Sequence, residues 1–370
     1  MFTPALREGR GFKHQPVELV NTTPVPAALN VASVPGRAER RGLITAKATF
    51  RLGAGGPELD VDDPRPLFDD DEPTALGLLP RDDVPRRDGR CEVILLGAAC
   101  APSGKPIDRR TVRLVVGDTK RELAVFGDRV WEGRGSGARV GRPEPFERMP
   151  LVWERAFGGT AEVLVDEESY VDIADPRNPR GAGIDVTRAA EEMCRAWKAP
   201  AGYPVLPSVR RLPNLEDPGA LIQGWEDAPE PVCWATAPLG VDLHLLRELA
   251  GYDPEAPPPM EVLARPRPRY ACHPDLLLDV PAAGTPVVAS GVRPLDEPFS
   301  FRIPNVRIWA DHIVGRHRGT RELRLETLVL LPEERRFYMV LRHAFTVPYR
   351  PEEERAMRVR VEVTSGGKTP

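Results

Sequence analysis

The sequence predicts a mainly β protein: two β-rich halves, sandwich-like or partly closed, with a few short helices in the connector between them. Three observations predict it. The chain carries 42 Pro and 32 Gly in 370 residues, a heavy load for helices, whose interiors both residues weaken. Several segments alternate apolar and polar residues with the period of two that marks a strand. Hydrophobic residues make up 41% of the chain, too many for disorder to be the reading. A chain of this length buries roughly three quarters of its unfolded surface, so its core needs neither metal nor disulfide.

An N-terminal extension over 1–16 is followed by the first β-rich half, 17–165. Ile44, Ala46, Ala48, Phe50 and Leu52 face one way and Thr45, Lys47, Thr49 and Arg51 the other, the pattern of a half-buried strand. Val93 to Ala99 has the length and apolarity of a buried strand. Thr111 to Val116 and Lys120 to Phe126 flank Gly117-Asp118-Thr119 and read as a hairpin with a three-residue turn.

A turn-rich connector covers 166–268. Thr187 is placed to cap a helix from Arg188 to Trp197, which Pro200 and Gly202 end. Leu243 to Leu249 is a second, short helix. Pro254 to Pro268 is too proline-dense for a helix interior or a central strand. The second β-rich half, 269–348, contains a hairpin: Glu322 to Leu331 and Arg336 to Phe345 around Pro332-Glu333-Glu334-Arg335. Leu323, Leu325, Thr327, Val329 and Leu331 share one face, as do Phe337, Met339, Leu341, His343 and Phe345. In the tail, 349–370, Arg358 to Val363 alternates and is expected as an edge strand guarded by arginine. The residues from Thr364 onward are expected to fray.

Formal net charge is −4, and arginine supplies all but six of the 51 basic residues. With acids balancing the basic clusters Arg265 to Arg269 and Arg316 to Arg324, a nucleic-acid partner is not expected. The five cysteines are odd in number and lack C-x-x-C spacing, which argues against a disulfide framework or structural zinc. Met1 to Gln15 has no apolar signal core, and no uncharged apolar run approaches a membrane span. The expectation is a cytoplasmic protein without a membrane partner.

The most informative stretch is Trp153-Glu154-Arg155-Ala156-Phe157-Gly158-Gly159, followed about twenty residues later by Asn178-Pro179-Arg180-Gly181-Ala182-Gly183. Bulky aromatics beside a charged pair, stopped by two glycines, suit a strand ending in a backbone turn. On such a strand Trp153, Arg155 and Phe157 share a face, with Glu154 and Ala156 opposite. Two roles fit them: core packing with Arg155 stacked or paired inside it, or direct contact with a partner. Gly158, Gly159, Gly181 and Gly183 serve backbone geometry, and Asn178 opens the second turn.

Other groupings read more simply. The acids from Glu58 to Glu72 lack the ordered calcium-loop pattern and are interrupted by Pro64 and Pro66, so a solvated loop is the reading, with docking of a basic segment as an alternative. Asp311, His312, His317 and His343 do not have H-E-x-x-H spacing, so no metal site is assigned. Cys272 and His273 are neighbours on extended chain and point apart, which spoils a thiolate–base pair. Gly133 to Gly137 is a glycine-rich surface loop with no helix behind it to hold phosphate. Glu191 with Glu192, and Glu333 with Glu334, have nothing to split their pKa values. No catalytic residue, metal or cofactor is expected.

Taken in order, Leu19-Val20-Asn21-Thr22-Thr23-Pro24, Ala46-Lys47-Ala48-Thr49-Phe50, Gly97 to Gly104, Phe126-Gly127-Asp128-Arg129-Val130-Trp131, Trp153 to Gly159 and Asn178 to Gly183 form a pattern. It resembles domain-of-unknown-function family 2169, bacterial proteins often encoded beside type VI secretion genes. The resemblance is dense from about Val17 to Asn178 and thinner to about Arg342. It implies an adaptor or chaperone that helps load a secreted effector protein onto the VgrG/PAAR spike, with no catalytic residues to carry over. The chain departs from the pattern over Leu243 to Gly251 and the proline-rich connector, which puts partner specificity there in question. Two readings from other classes stand beside this one. The first is a β-sandwich carbohydrate hydrolase, with paired carboxylates from Asp60 to Asp71 or from Glu226-Asp227. The second is a structural component of a phage-tail-like assembly.

Overall fold

The alternating segment around Ile44 forms the long strand Glu39–Gly53, and most of the molecule is arranged about it. The computed structural model describes residues 18–33, 39–84, 89–133, 137–164, 169–184, 187–199, 203–204, 210–237, 242–249, 270–314, 317–348 and 358–365. The N-terminal extension, the connector over 250–268 with its arginine cluster and the centre of the 133–137 glycine loop lie outside the described residues. So do 349–357 and 366–370.

The protein is mainly β, and among the described residues the helices are short. A seven-stranded sheet runs in the order Leu277–Asp279, Arg90–Leu95, Arg324–Leu331, Arg336–Pro348, Glu39–Gly53 and Ala27–Ser33, with Gly56–Leu59 also paired to the long strand. Arg90–Leu95 and Arg324–Leu331 are parallel and their neighbours antiparallel. A five-stranded antiparallel sheet runs Leu215–Glu216, Thr119–Phe126, Arg109–Val116, Pro286–Ser290 and Phe299–Arg302. Both sheets take strands from both β-rich halves. Phe301 of the second sheet stacks on Phe337 of the first at 3.8 Å between ring centroids, and Phe337 stacks on Phe50 at 5.0 Å. This aromatic column lies within one large core to which both sheets contribute.

Helices form over Thr187–Trp197 and Leu243–Leu249, within the predicted connector. The Asp242 carboxylate caps the second by accepting from the Leu245 N–H at 2.9 Å. Among the described residues no helix is long and apolar enough to cross a membrane. All five cysteines are buried and free.

Several expectations are corrected. The middle of strand Glu39–Gly53, from Gly42 to Phe50, is buried on both faces: Thr45, Lys47 and Thr49 are as inaccessible as Ile44 and Ala46, while Arg51 is exposed as expected. The reason is the segment after Leu59, which folds back over the polar face. Its Asp82 carboxylate meets the Lys47 ammonium at 2.5 Å. The acidic run is accordingly not all solvated, for Asp60 is buried and its carboxylate lies 2.7 Å from Arg336. The 111–126 hairpin closes through two residues rather than three, since Thr119 already pairs with Val116. Gly117, at φ 57°, takes the first central position, where a type II′ turn asks for glycine.

A bulge between Leu325 and Thr327 shifts the C-terminal hairpin register. Leu325, Leu328 and Leu330 therefore stand opposite Leu341, Met339 and Phe337, which breaks the predicted run through Thr327, Val329 and Leu331. Strand Arg358–Ser365 is not an edge. It lies between Glu18–Asn21 and Val306–Val314 in a four-stranded sheet, so Thr364 and Ser365 are in the ladder and not frayed.

Candidate functional site

The segment from Trp153 departs from the predicted strand. Trp153–Arg155 is one turn of 3₁₀ helix, and only Phe157–Gly158 pairs as strand, in parallel with Ala182–Gly183. A 3₁₀ turn has about three residues per revolution, so Trp153 and Arg155 do not share a face as they would on a strand.

Trp153 points into the main core, 3% exposed. Its indole N–H donates to the Ala235 carbonyl at 3.0 Å, and its ring stacks on His273 with centroids 6.4 Å apart. Phe157 enters a second apolar cluster with Trp131, Leu212 and Ile222. Arg155 turns outward, and its Nη1 donates to Asp128 Oδ1 and Asn214 Oδ1, each at 2.9 Å. Asn214 Nδ2 in turn donates to Asp128 Oδ1 at 3.0 Å and to the Phe126 carbonyl at 3.1 Å. Burial by itself would raise the Asp128 pKa, but the hydrogen bonds from Asn214 and Arg155 outweigh it and hold the carboxyl below its usual range.

Asn178 fastens the two motif segments together. It is fully buried, and its Nδ2 donates to the carbonyls of Trp153 at 2.8 Å and Phe157 at 2.9 Å. Its own carbonyl accepts from the Gly159 N–H at 2.8 Å. Gly158, at φ 128°, has no room for a side chain: a Cβ there would stand 2.3 Å from that Asn178 carbonyl oxygen. Gly159 and Gly181 complete the same close approach of the two backbones, and a Cβ on Gly183 would meet the Pro213 ring and the Phe157 side chain.

Above this locked base opens a groove of about 660 Å³. Glu154, Arg155, Arg180 and Gly181 from the motif line it, together with Asp128, Glu132, Arg142, Glu144 and Arg211. Glu154 is exposed and lies 3.7 Å from Arg180. Arg142, Arg211, Glu132 and Glu144 have no ion-pair partner among the described residues, so both signs of charge stand open in one trough. Beneath it the guanidinium of Arg129 is buried against Glu216 and stacks over Phe126 at 3.9 Å. Burial pushes the Glu216 carboxyl up and the Arg129 cation opposes it.

The residues proposed for other chemistry are placed elsewhere. Asp227 accepts from the N–H groups of Gln223 and Gly224, both at 2.8 Å, which hold its carboxyl below the usual range. Asp311 accepts from Thr320 at 2.6 Å, while His343 stacks on Phe345 in a different sheet. His273 is buried and its Nδ1 accepts from the Asp275 N–H as a cap. Glu333 pairs with Arg148 at 2.7 Å, and Glu334 pairs with Arg65. Among the described residues no group of three or more His, Cys, Asp or Glu is placed to hold a metal ion.

A family model described as an uncharacterized protein conserved in bacteria, DUF2169, matches residues 37–342. The chain belongs to this family. No curated protein and no solved structure matches the chain. In this DUF2169 protein the Trp153 to Gly159 and Asn178 to Gly183 segments, distant in sequence, are one structural unit at the groove. Sequence reading missed Asn214, the second anchor of Arg155. Its neighbourhood, Leu212-Pro213-Asn214, carries no periodic pattern, and the contact crosses 59 residues.

Proposed function

We propose that this protein is a cytoplasmic, non-enzymatic adaptor that holds a secreted effector and helps load it onto the VgrG/PAAR spike. The observation that carries the reading is how the motif divides its residues. Its aromatic and amide side chains lock the backbone, while Glu154, Arg155 and Arg180 line an open trough of mixed charge. A polar contact of moderate size can form with specificity and still release on loading. Arg142, Arg211, Glu132 and Glu144, without ion-pair partners among the described residues, give such a contact its charge register without rebuilding the core. The adaptor role itself is what the resemblance of the sequence implies; the matching family model names no function.

The test is co-purification of the full chain from its native host with effector and spike (VgrG/PAAR) proteins. Wild type is expected to co-elute with one of them, and the double reversal Arg211→Glu with Glu144→Arg to weaken that binding by about tenfold or more, since each misplaced like charge opposes association. Hydrolysis of an ester, glycoside or phosphate substrate by the pure chain, lost on substitution of an acidic pair, would overturn the proposal.

A further inference from the structure

The most unusual chemistry in the molecule lies in its core, away from the groove. Lys47, at the middle of strand Glu39–Gly53, and Asp82, on the segment that folds back over it, are 0% and 2% exposed. Their Nζ and Oδ2 are 2.5 Å apart. Aromatic rings wall the site: Nζ lies 4.2 Å from the centroid of Phe68 and 4.7 Å from that of Tyr338. The amine also donates to the Pro66 carbonyl at 2.7 Å, and Asp82 Oδ2 accepts from the Phe68 N–H at 2.8 Å. Asp82 Oδ1 is buried and has no hydrogen-bond partner among the described residues.

As an ion pair, these groups leave one carboxylate oxygen unsatisfied inside the protein, where such atoms are rare and destabilising. An amide between them would leave none. It has one carbonyl oxygen, which the Phe68 N–H meets, and one N–H, which the Pro66 carbonyl meets. The oxygen without a partner is the one that amide formation removes.

We propose that Lys47 and Asp82 condense into an intramolecular isopeptide bond that covalently fastens the 60–84 segment to the central sheet. The neutral amine of Lys47 attacks Cγ of the protonated Asp82 carboxyl and the C–N bond forms. The Phe68 N–H steadies the oxygen that carries the developing negative charge, as an oxyanion donor does. A proton from the attacking nitrogen passes to Oδ1, the Cγ–Oδ1 bond breaks and one water leaves. No oxidant, reductant or cofactor enters the balance. Burial favours the reactive forms of both groups, lowering the Lys47 amine to about 8 and raising the Asp82 carboxyl. Contact at this distance supplies the proximity that makes a slow condensation feasible.

The proposal is independent of the adaptor reading, and its test is the mass of the full chain after denaturation and reduction. The expected mass is one water, about 18 Da, below that of the sequence, and a protease digest is expected to yield a branched peptide joining the Lys47 and Asp82 segments. In Asp82→Asn the same attack would expel ammonia and reach the same cross-linked mass, whereas Lys47→Arg is expected to keep its full mass. The wild-type measurement decides the matter even if neither variant folds. Full mass with Lys47 in a linear peptide overturns the proposal. So does a water loss confined to an Asp82 succinimide with Lys47 free.

Discussion

Gly158 is where the candidate site depends most on one residue. Its φ of 128° and the Asn178 carbonyl 2.3 Å from a would-be Cβ give alanine both a backbone and a steric penalty. Gly158→Ala is expected to destabilise the protein by about 2 kcal/mol or more. Gly224→Ala is expected to be nearly neutral, since a Cβ there would have no atom within 4 Å and its φ is not positive. Urea denaturation of both variants checks this, and equal midpoints would refute it. That glycines stand at this turn was legible in the sequence, because few other residues suit an abrupt reversal. What Asn178 does was not legible, since the carbonyls it holds belong to Trp153 and Phe157, more than twenty residues upstream.

Elements were read most surely where alternation was strict and the partner was near. The hairpins 111–126 and 324–345 and the helix Thr187–Trp197 each announce themselves within about thirty residues. Errors arose where the deciding contact is distant. Thr45, Lys47 and Thr49 look like a solvent face until the 60–84 segment covers them, and nothing near Arg358 reveals that its strand has neighbours on both sides. The stretch 270–276 makes the same point and carries a consequence for pH. There His273 is buried against Trp153, and His244 of the short helix lies 3.3 Å from the Cys272 carbonyl and 4.6 Å from the Tyr270 ring centroid. Burial lowers the pKa of both histidines, against weaker opposing interactions. An unfolded histidine takes up its proton near about 6.5, while these do so only at lower pH in the folded protein. Their contribution to stability is therefore complete above that value and lost as pH falls from it toward the folded pKa values. Melting temperature is expected to decline between pH 7 and pH 5, before most carboxylates titrate, and His273→Gln to flatten part of that decline. A variant whose melting curve follows wild type across this range would remove His273 as a cause.

At the scale of the whole molecule, the two β-rich halves visible in the sequence are bound into common sheets. Arg324–Leu331 and Arg336–Pro348, from the second half, lie between Arg90–Leu95 and Glu39–Gly53, from the first. Pro286–Ser290 and Phe299–Arg302 extend the sheet that Arg109–Val116 and Thr119–Phe126 begin. No local pattern can reveal this, because strand alternation reports which face is buried and is silent about the neighbour in the ladder. Without the second half, Arg90–Leu95 and Glu39–Gly53 lose the strands that join them, and Phe50 loses Phe337 from its stack. Such exposed ladders and apolar faces do not sustain an independent fold. Residues 17–165 expressed alone are thus expected to show no cooperative thermal transition, and the intact chain to show one main transition in calorimetry. A sharp transition in the isolated fragment would mean that the first half carries a sufficient core of its own. The groove would then be only partly built on a separable module, since Arg180, Leu212 and Asn214 of its wall come from beyond residue 165, and the fragment would keep its fold while losing Arg155's second anchor.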